Sequence, residues 1–131
     1  MTDTELEKKV INKFIIKNKR DRYLGFIQND KTRKKFLDDL SHGQMFQADL
    51  FESITEHESE VIKKISLKLG VKDCYIISEN EKLDGKRLDI DTALNEAISP
   101  WSDISTIIVF GDGQVIYREH DGAKNRWISK Y

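Results

Sequence analysis

The sequence contains one cysteine and one proline among 131 residues, and it has no long hydrophobic run. A single thiol, Cys74, excludes an intramolecular disulfide, and without a second cysteine there is no Cys-x-x-Cys zinc motif. No apolar run approaches the roughly 20 residues that a membrane-spanning helix needs. Residues 1–5 also lack the basic and apolar regions of a secretory signal. We therefore expect a cytoplasmic protein in a reducing compartment.

The chain also lacks an excess of either charge. It has 22 basic and 23 acidic side chains, a net charge of −1, which by itself favours neither a nucleic-acid binder nor an acidic mimic. Hydrophobic residues make up 38% of the chain, and the clusters at 75–77 and 107–110 are too apolar for a disordered protein. No linker composition separates the halves, so we expect a single domain over 1–131, with a helical part at about 1–70 and a sheet part at about 71–131.

Apolar residues at intervals of three and four predict helices in the first half of the chain. The predicted helices cover residues 4–18, a short segment around 23–27, residues 31–41 and residues 56–69. Thr4 with Glu7 has the spacing of a capping box for the first helix, and Gly70 stands where a glycine would end the last. The segment 44–55 fits either a short helical turn or a packed loop.

The second half has the pattern of buried strands. Residues 74–77 form a continuous apolar run with β-branched members, as in a strand buried on both faces, and residues 104–110 have the same character. A turn is predicted at 83–86. Asp91 is placed to cap a helix over 91–98 that Pro100 would stop. We therefore expect a right-handed parallel crossover between the two strands.

Glycine and aspartate mark the next turn. The sequence Gly-Asp-Gly-Gln at 111–114 is typical of a type I′ hairpin, which would lead into a returning strand at 115–119, and a last strand is predicted at 126–131. The predicted fold class is α+β: N-terminal helices packed on a mixed, roughly four-stranded C-terminal sheet with one crossover helix and a terminal hairpin or meander.

Charge is strongly segregated along the helical half. Residues 17–36 carry eight basic and two acidic side chains, a net charge of +6, whereas residues 37–62 carry seven acidic side chains and neither Lys nor Arg. The residues predicted to contact a partner are Arg20, Arg22, Lys31, Arg33, Lys34 and Lys35. Such a surface, with Tyr23 and Phe26 nearby for stacking, suits the phosphates of a nucleic acid or an acidic protein. The alternative is a solvated helix face that the acidic segment folds back to neutralise.

Residues suited to catalysis occur without a recognised motif. His57 lacks the second histidine of a His-Glu-x-x-His zinc helix, and His42 is isolated. His120 lies between two carboxylates, but neighbouring strand residues point to opposite faces. Cys74 sits inside an apolar strand, where a thiol is unreactive. Neither a catalytic residue nor a cofactor is predicted.

The sequence therefore favours a non-enzymatic binding or regulatory module that uses the basic helical surface. One alternative is a small metal-assisted hydrolase with Asp89, Asp91, Glu96 and His120 near the end of the sheet. Another is an immunity-type or oligomer-forming protein that uses the acidic segment 49–60.

Overall fold

The fold combines five helices with one six-stranded sheet in a computed structural model that describes residues 2–40, 42–54, 57–98, 104–119 and 126–130. The helices are α1 (Thr4–Phe14), α2 (Arg20–Phe26), α3 (Asp30–Leu40), α4 (Glu58–Leu69) and α5 (Ile90–Glu96). The strands are β1 (Phe51–Ser53), β2 (Asp73–Ser78), β3 (Arg87–Asp89), β4 (Thr106–Phe110), β5 (Val115–Glu119) and β6 (Arg126–Ser129). Short 3₁₀ turns occupy Lys17–Lys19 and Ala48–Leu50.

The sheet has the order β1-β6-β5-β4-β2-β3, and every neighbouring pair is antiparallel. The α+β class is confirmed, but the sheet has six strands rather than about four. The predicted mixed sheet is instead antiparallel throughout the described strands. The two strands that the sequence did not reveal, β1 and β3, are three residues long. Such short segments carry too little alternation to be recognised.

The predicted parallel crossover between the buried strands was wrong. Strands β2 and β4 are antiparallel neighbours, with Cys74 opposite Phe110. The reversal comes from the predicted turn at 83–86, where Gly85 has a φ of +78°, because this turn sends the chain back as β3 beside β2. Helix α5 then leads from β3 to β4, so it joins two strands that flank β2.

Helices cover both faces of the sheet. Tyr75 and Ile77 face a core formed with α1, α2 and α3. Cys74 and Ile76 face a second core that contains residues of α4 and α5. Adjacent residues of a strand point to opposite faces, so two cores need an uninterrupted apolar sequence in the central strands. That requirement explains the apolar runs at 75–77 and 107–110.

Two helix starts differ from the predicted ones. Asp3, and not Thr4, caps α1, since its carboxylate accepts a hydrogen bond from the backbone N–H of Leu6. Asp89, and not Asp91, caps α5. At the hairpin between β4 and β5 the chain turns through four residues, 111–114, with left-handed glycines at both 111 and 113, rather than through a two-residue type I′ loop.

Cys74 is fully buried in β2, and burial raises the pKa of its thiol to about 12. We expect this thiol not to react with Ellman's reagent at pH 8 in the folded protein, because the thiolate is the reactive species and the site excludes the reagent. The same assay in guanidinium chloride should titrate one thiol per chain. Rapid labelling under native conditions would contradict this prediction.

Candidate functional site

Four of the six predicted contact residues lie exposed on neighbouring helices. Arg22 projects from α2, and Lys31, Lys34 and Lys35 project from α3. We call these four residues the α2–α3 basic surface. The guanidinium of Arg22 lies 5.4 Å and the ammonium of Lys35 lies 5.8 Å from the ring centroid of the half-buried Phe26, so one aromatic ring holds two cations.

Arg20 and Tyr23 are less available than the sequence suggested. The Nε of Arg20 donates a hydrogen bond of 2.8 Å to the carbonyl of Ile15, which fixes the end of α1 to the start of α2. Tyr23 is buried and donates a hydrogen bond of 3.0 Å to Asp39, so its ring cannot stack on a ligand. Phe26 is therefore the aromatic residue of the predicted pair that remains partly accessible.

Arg33 does not belong to the exposed surface, since only 5% of it is accessible. Its Nη1 and Nη2 donate to the two carboxylate oxygens of Glu7, at 2.5 and 2.8 Å. Its Nε and Nη2 donate to the oxygens of Asp84, at 2.7 and 2.9 Å. The sequence held a signal for this burial: Arg33 continues the stripe of Phe36, Leu37 and Leu40 at helical spacing, whereas the exposed lysines lie off it.

The buried ion pair extends into a hydrogen-bonded cluster. The hydroxyl of Tyr75 donates to Glu7 at 2.6 Å, and burial together with this bond raises the pKa of Tyr75 above its usual range. The backbone N–H of Ser78 donates to Asp84 at 3.0 Å. The cluster thus joins α1, α3, β2 and the turn before β3. Glu7, Asp84 and Tyr75 appeared in the sequence only as a cap, a turn residue and a strand residue, and nothing local indicated that they meet Arg33.

A groove of about 540 Å³ opens between α3 and the connection from β2 to β3. Carboxylates dominate its charged lining, and Lys34 stands among them. The charged residues lining the groove are Asp30, Arg33, Lys34, Asp38, Glu79, Glu81 and Asp84. We call this feature the acidic groove. Because Arg33 is already paired inside the fold, the groove presents negative charge directly beside the α2–α3 basic surface.

The ion pairs formed by Arg33 and by Glu58 join the basic and acidic segments to other parts of the fold and not to each other. Arg33 pairs with Glu7 and Asp84, which lie outside the acidic segment. Glu58, from the acidic segment, lies 3.9 Å from Arg126 of β6. Asp39 shares a shallow depression with Arg22 and with Lys19, so neutralisation of the basic surface is partial.

The residues of the hydrolase alternative have structural positions. The carboxylate of Asp89 accepts hydrogen bonds from the backbone N–H and the hydroxyl of Thr92, at 2.8 and 2.9 Å, as a helix cap. Asp91 and Glu96 are exposed on α5, and His120 lies outside the described residues. Within the described ranges, no group of three His, Cys, Asp or Glu side chains is placed to hold a metal ion.

Arg118 forms a feature that the sequence did not indicate. It lies on β5 with 6% of its surface accessible, and the carbon at the centre of its guanidinium lies 4.3, 4.5 and 4.3 Å from the ring centroids of Phe46, Phe51 and Trp127. Its Nε and Nη1 are buried without a hydrogen-bond acceptor among the described residues. Burial lowers the pKa of Arg118 to about 10. We call this arrangement the arginine cage.

No protein-family model, curated protein or solved structure matches this chain. In the part of the chain that the structure describes, no helix has the length and apolar character required to cross a membrane.

Proposed function

We propose that this protein is a cytoplasmic, non-enzymatic binding module whose α2–α3 basic surface contacts acidic residues of a partner protein. The observation that carries the proposal is the position of Lys34, which belongs to the basic surface and also lines the acidic groove. Charges of both signs therefore stand side by side on one exposed region. A protein partner carries charges of both signs and can complement such a region.

A nucleic acid fits this region less well. Its phosphates would be attracted by the lysines of α3 but repelled by the carboxylates of the adjoining groove, and charges this close interact well within the Debye length of about 8–10 Å. Base stacking has little support, because Tyr23 is buried and the ring of Phe26 already lies against Arg22 and Lys35. These observations favour the acidic-protein form of the hypothesis.

The experiment compares Lys34→Glu/Lys35→Glu with a matched control, Lys63→Glu/Lys72→Glu, which changes the net charge equally at exposed positions away from α3. Proteins cross-linked to the wild type in cell extract are identified, purified and titrated against each variant. We expect the α3 variant to weaken binding at least about tenfold, mainly by slowing association, and the control to bind as the wild type.

Nucleic acid is tested with the same proteins. A 20-nucleotide oligo(dT) and an RNA of equal length are titrated at 50 and 200 mM salt. Binding that falls steeply with salt and disappears in the α3 variant would replace the protein-partner proposal with the nucleic-acid one. A purified partner that binds wild type and α3 variant equally would refute the role of this surface.

A further inference from the structure

The arginine cage holds a charge in an environment that does not satisfy its hydrogen bonds. Two nitrogens of Arg118, Nε and Nη1, are buried without an acceptor among the described residues, whereas the buried Arg33 uses Nε, Nη1 and Nη2 on two carboxylates. Aromatic faces attract a cation, but they provide no lone pair for an in-plane N–H donor. The described part of the fold thus contains one buried guanidinium with all three nitrogens bonded and one with two nitrogens that lack an acceptor.

A purely structural role does not explain this arrangement. Arg118 faces the same core as Ile107 and Ile116, and an apolar side chain there would avoid the cost of desolvating an unpaired charge. The three rings lie against the weakly hydrated guanidinium and leave the N–H groups at Nε and Nη1 as its unsatisfied part. Oxygen anions would satisfy these N–H groups, because they bind guanidinium through short, charge-assisted hydrogen bonds.

We propose that the arginine cage is a binding site for a small oxyanion, a carboxylate or a phosphate, with Arg118 as the binding group. Trp127 is the movable side of the site. It is half-buried, whereas Phe46 and Phe51 are buried, and it stands directly between Arg118 and the exposed Ser53 in one row across β5, β6 and the edge strand β1. A shift of the Trp127 ring opens the guanidinium to solvent from this margin of the sheet.

This site is independent of the α2–α3 basic surface. It uses residues of β1, β5, β6 and the segment before β1, and it would persist if the proposed protein partner did not exist. Its specificity is for one compact anionic group, because the cage offers a single guanidinium and its other walls are aromatic.

The test uses Trp127 fluorescence in a Trp101→Phe background, where Trp127 is the one remaining tryptophan of two. Sodium acetate and inorganic phosphate are titrated separately at constant ionic strength. We expect a saturable change in Trp127 emission with at least one anion, and a thermal midpoint that rises with its concentration. A stronger response to acetate would indicate that the site binds carboxylates, and a stronger response to phosphate would indicate that it binds phosphates.

Three variants separate binding from structure. Arg118→Met should abolish the response and keep or raise the thermal midpoint in anion-free buffer, since it removes an unpaired buried charge. Arg118→Lys keeps the charge without the planar donors and should weaken binding at least about tenfold. Arg87→Met, at an exposed arginine, should respond as the parent does.

Two results would overturn the proposal. One is the absence of a saturable response to either anion up to 50 mM, or an equal response in Arg118→Met, which would assign the effect to general screening. The other is a large fall in the thermal midpoint of Arg118→Met in anion-free buffer, which would show that the cage serves the fold itself.

Discussion

Replacing Arg33 by alanine is expected to destabilise the fold by about 3–5 kcal/mol, because it leaves two carboxylates without their buried counter-charge. Glu7 is almost completely buried, and Asp84 is largely so. The guanidinium donates to both of them, so its removal leaves their oxygens without these hydrogen bonds inside the cluster. The loss should appear in the free energy of unfolding measured with urea.

The matched control is Arg87→Ala. Arg87 also lies near two carboxylates, Asp3 and Asp73, but both distances are 3.6 Å and its side chain is 44% exposed. Exposed pairs of this kind contribute at most about 1 kcal/mol. If Arg33→Ala and Arg87→Ala reduced the free energy of unfolding equally, the buried cluster would not hold α1, α3 and the turn before β3 together.

Replacing Ile62 by alanine is expected to cost about 2–5 kcal/mol, through lost burial and the cavity that remains. Ile62 is 0% exposed and is the apolar residue of α4 that is completely buried in the core on that face of the sheet. Its partners there include Cys74, Ile76 and Ile108 of the central strands. Because these strands are rigid neighbours in the sheet, they cannot collapse into the space left by the missing side chain.

Leu67→Ala on the same helix is the control. Leu67 is 83% exposed, so truncation removes little buried surface, and the change in the free energy of unfolding should stay within about 0.5 kcal/mol. Both substitutions place alanine in α4, so differences in helix propensity are small beside the expected gap. Similar losses in the two variants would mean that α4 contributes little to the packing on its face of the sheet.

The predicted contact surface shows how far sequence reasoning reached. The lysines of α3 selected by charge counting are exposed, but charge counting treated the buried Arg33 as their equivalent. The periodicity of the same helix places Arg33 on the buried stripe with Phe36 and Leu37, and a charge at such a position requires a buried counter-charge. The identity of that counter-charge could not be predicted, because Glu7 and Asp84 lie 26 and 51 residues away in the chain.

The arginine cage was beyond prediction for a related reason. Nothing near Arg118 in the sequence distinguishes it from an arginine on a solvent-facing strand. Its surroundings come from β1, β6 and the loop before β1, which meet only when the sheet is complete. Whether this side chain is buried depends on several segments that are distant in the chain, so a local sequence pattern does not predict it.

The sequence by itself determined the helices of the first half, the two buried strands at the centre of the sheet and the presence of a hairpin after them. These features are stabilised by periodic apolar residues and by turn residues within a few positions of one another. Only the tertiary structure decided the direction of β4 beside β2, the existence of β1 and β3, and the contacts of Arg33 and Arg118. A three-residue strand owes its stability to the strand it pairs with, and a buried charge owes its stability to groups that the folded chain brings within hydrogen-bond distance.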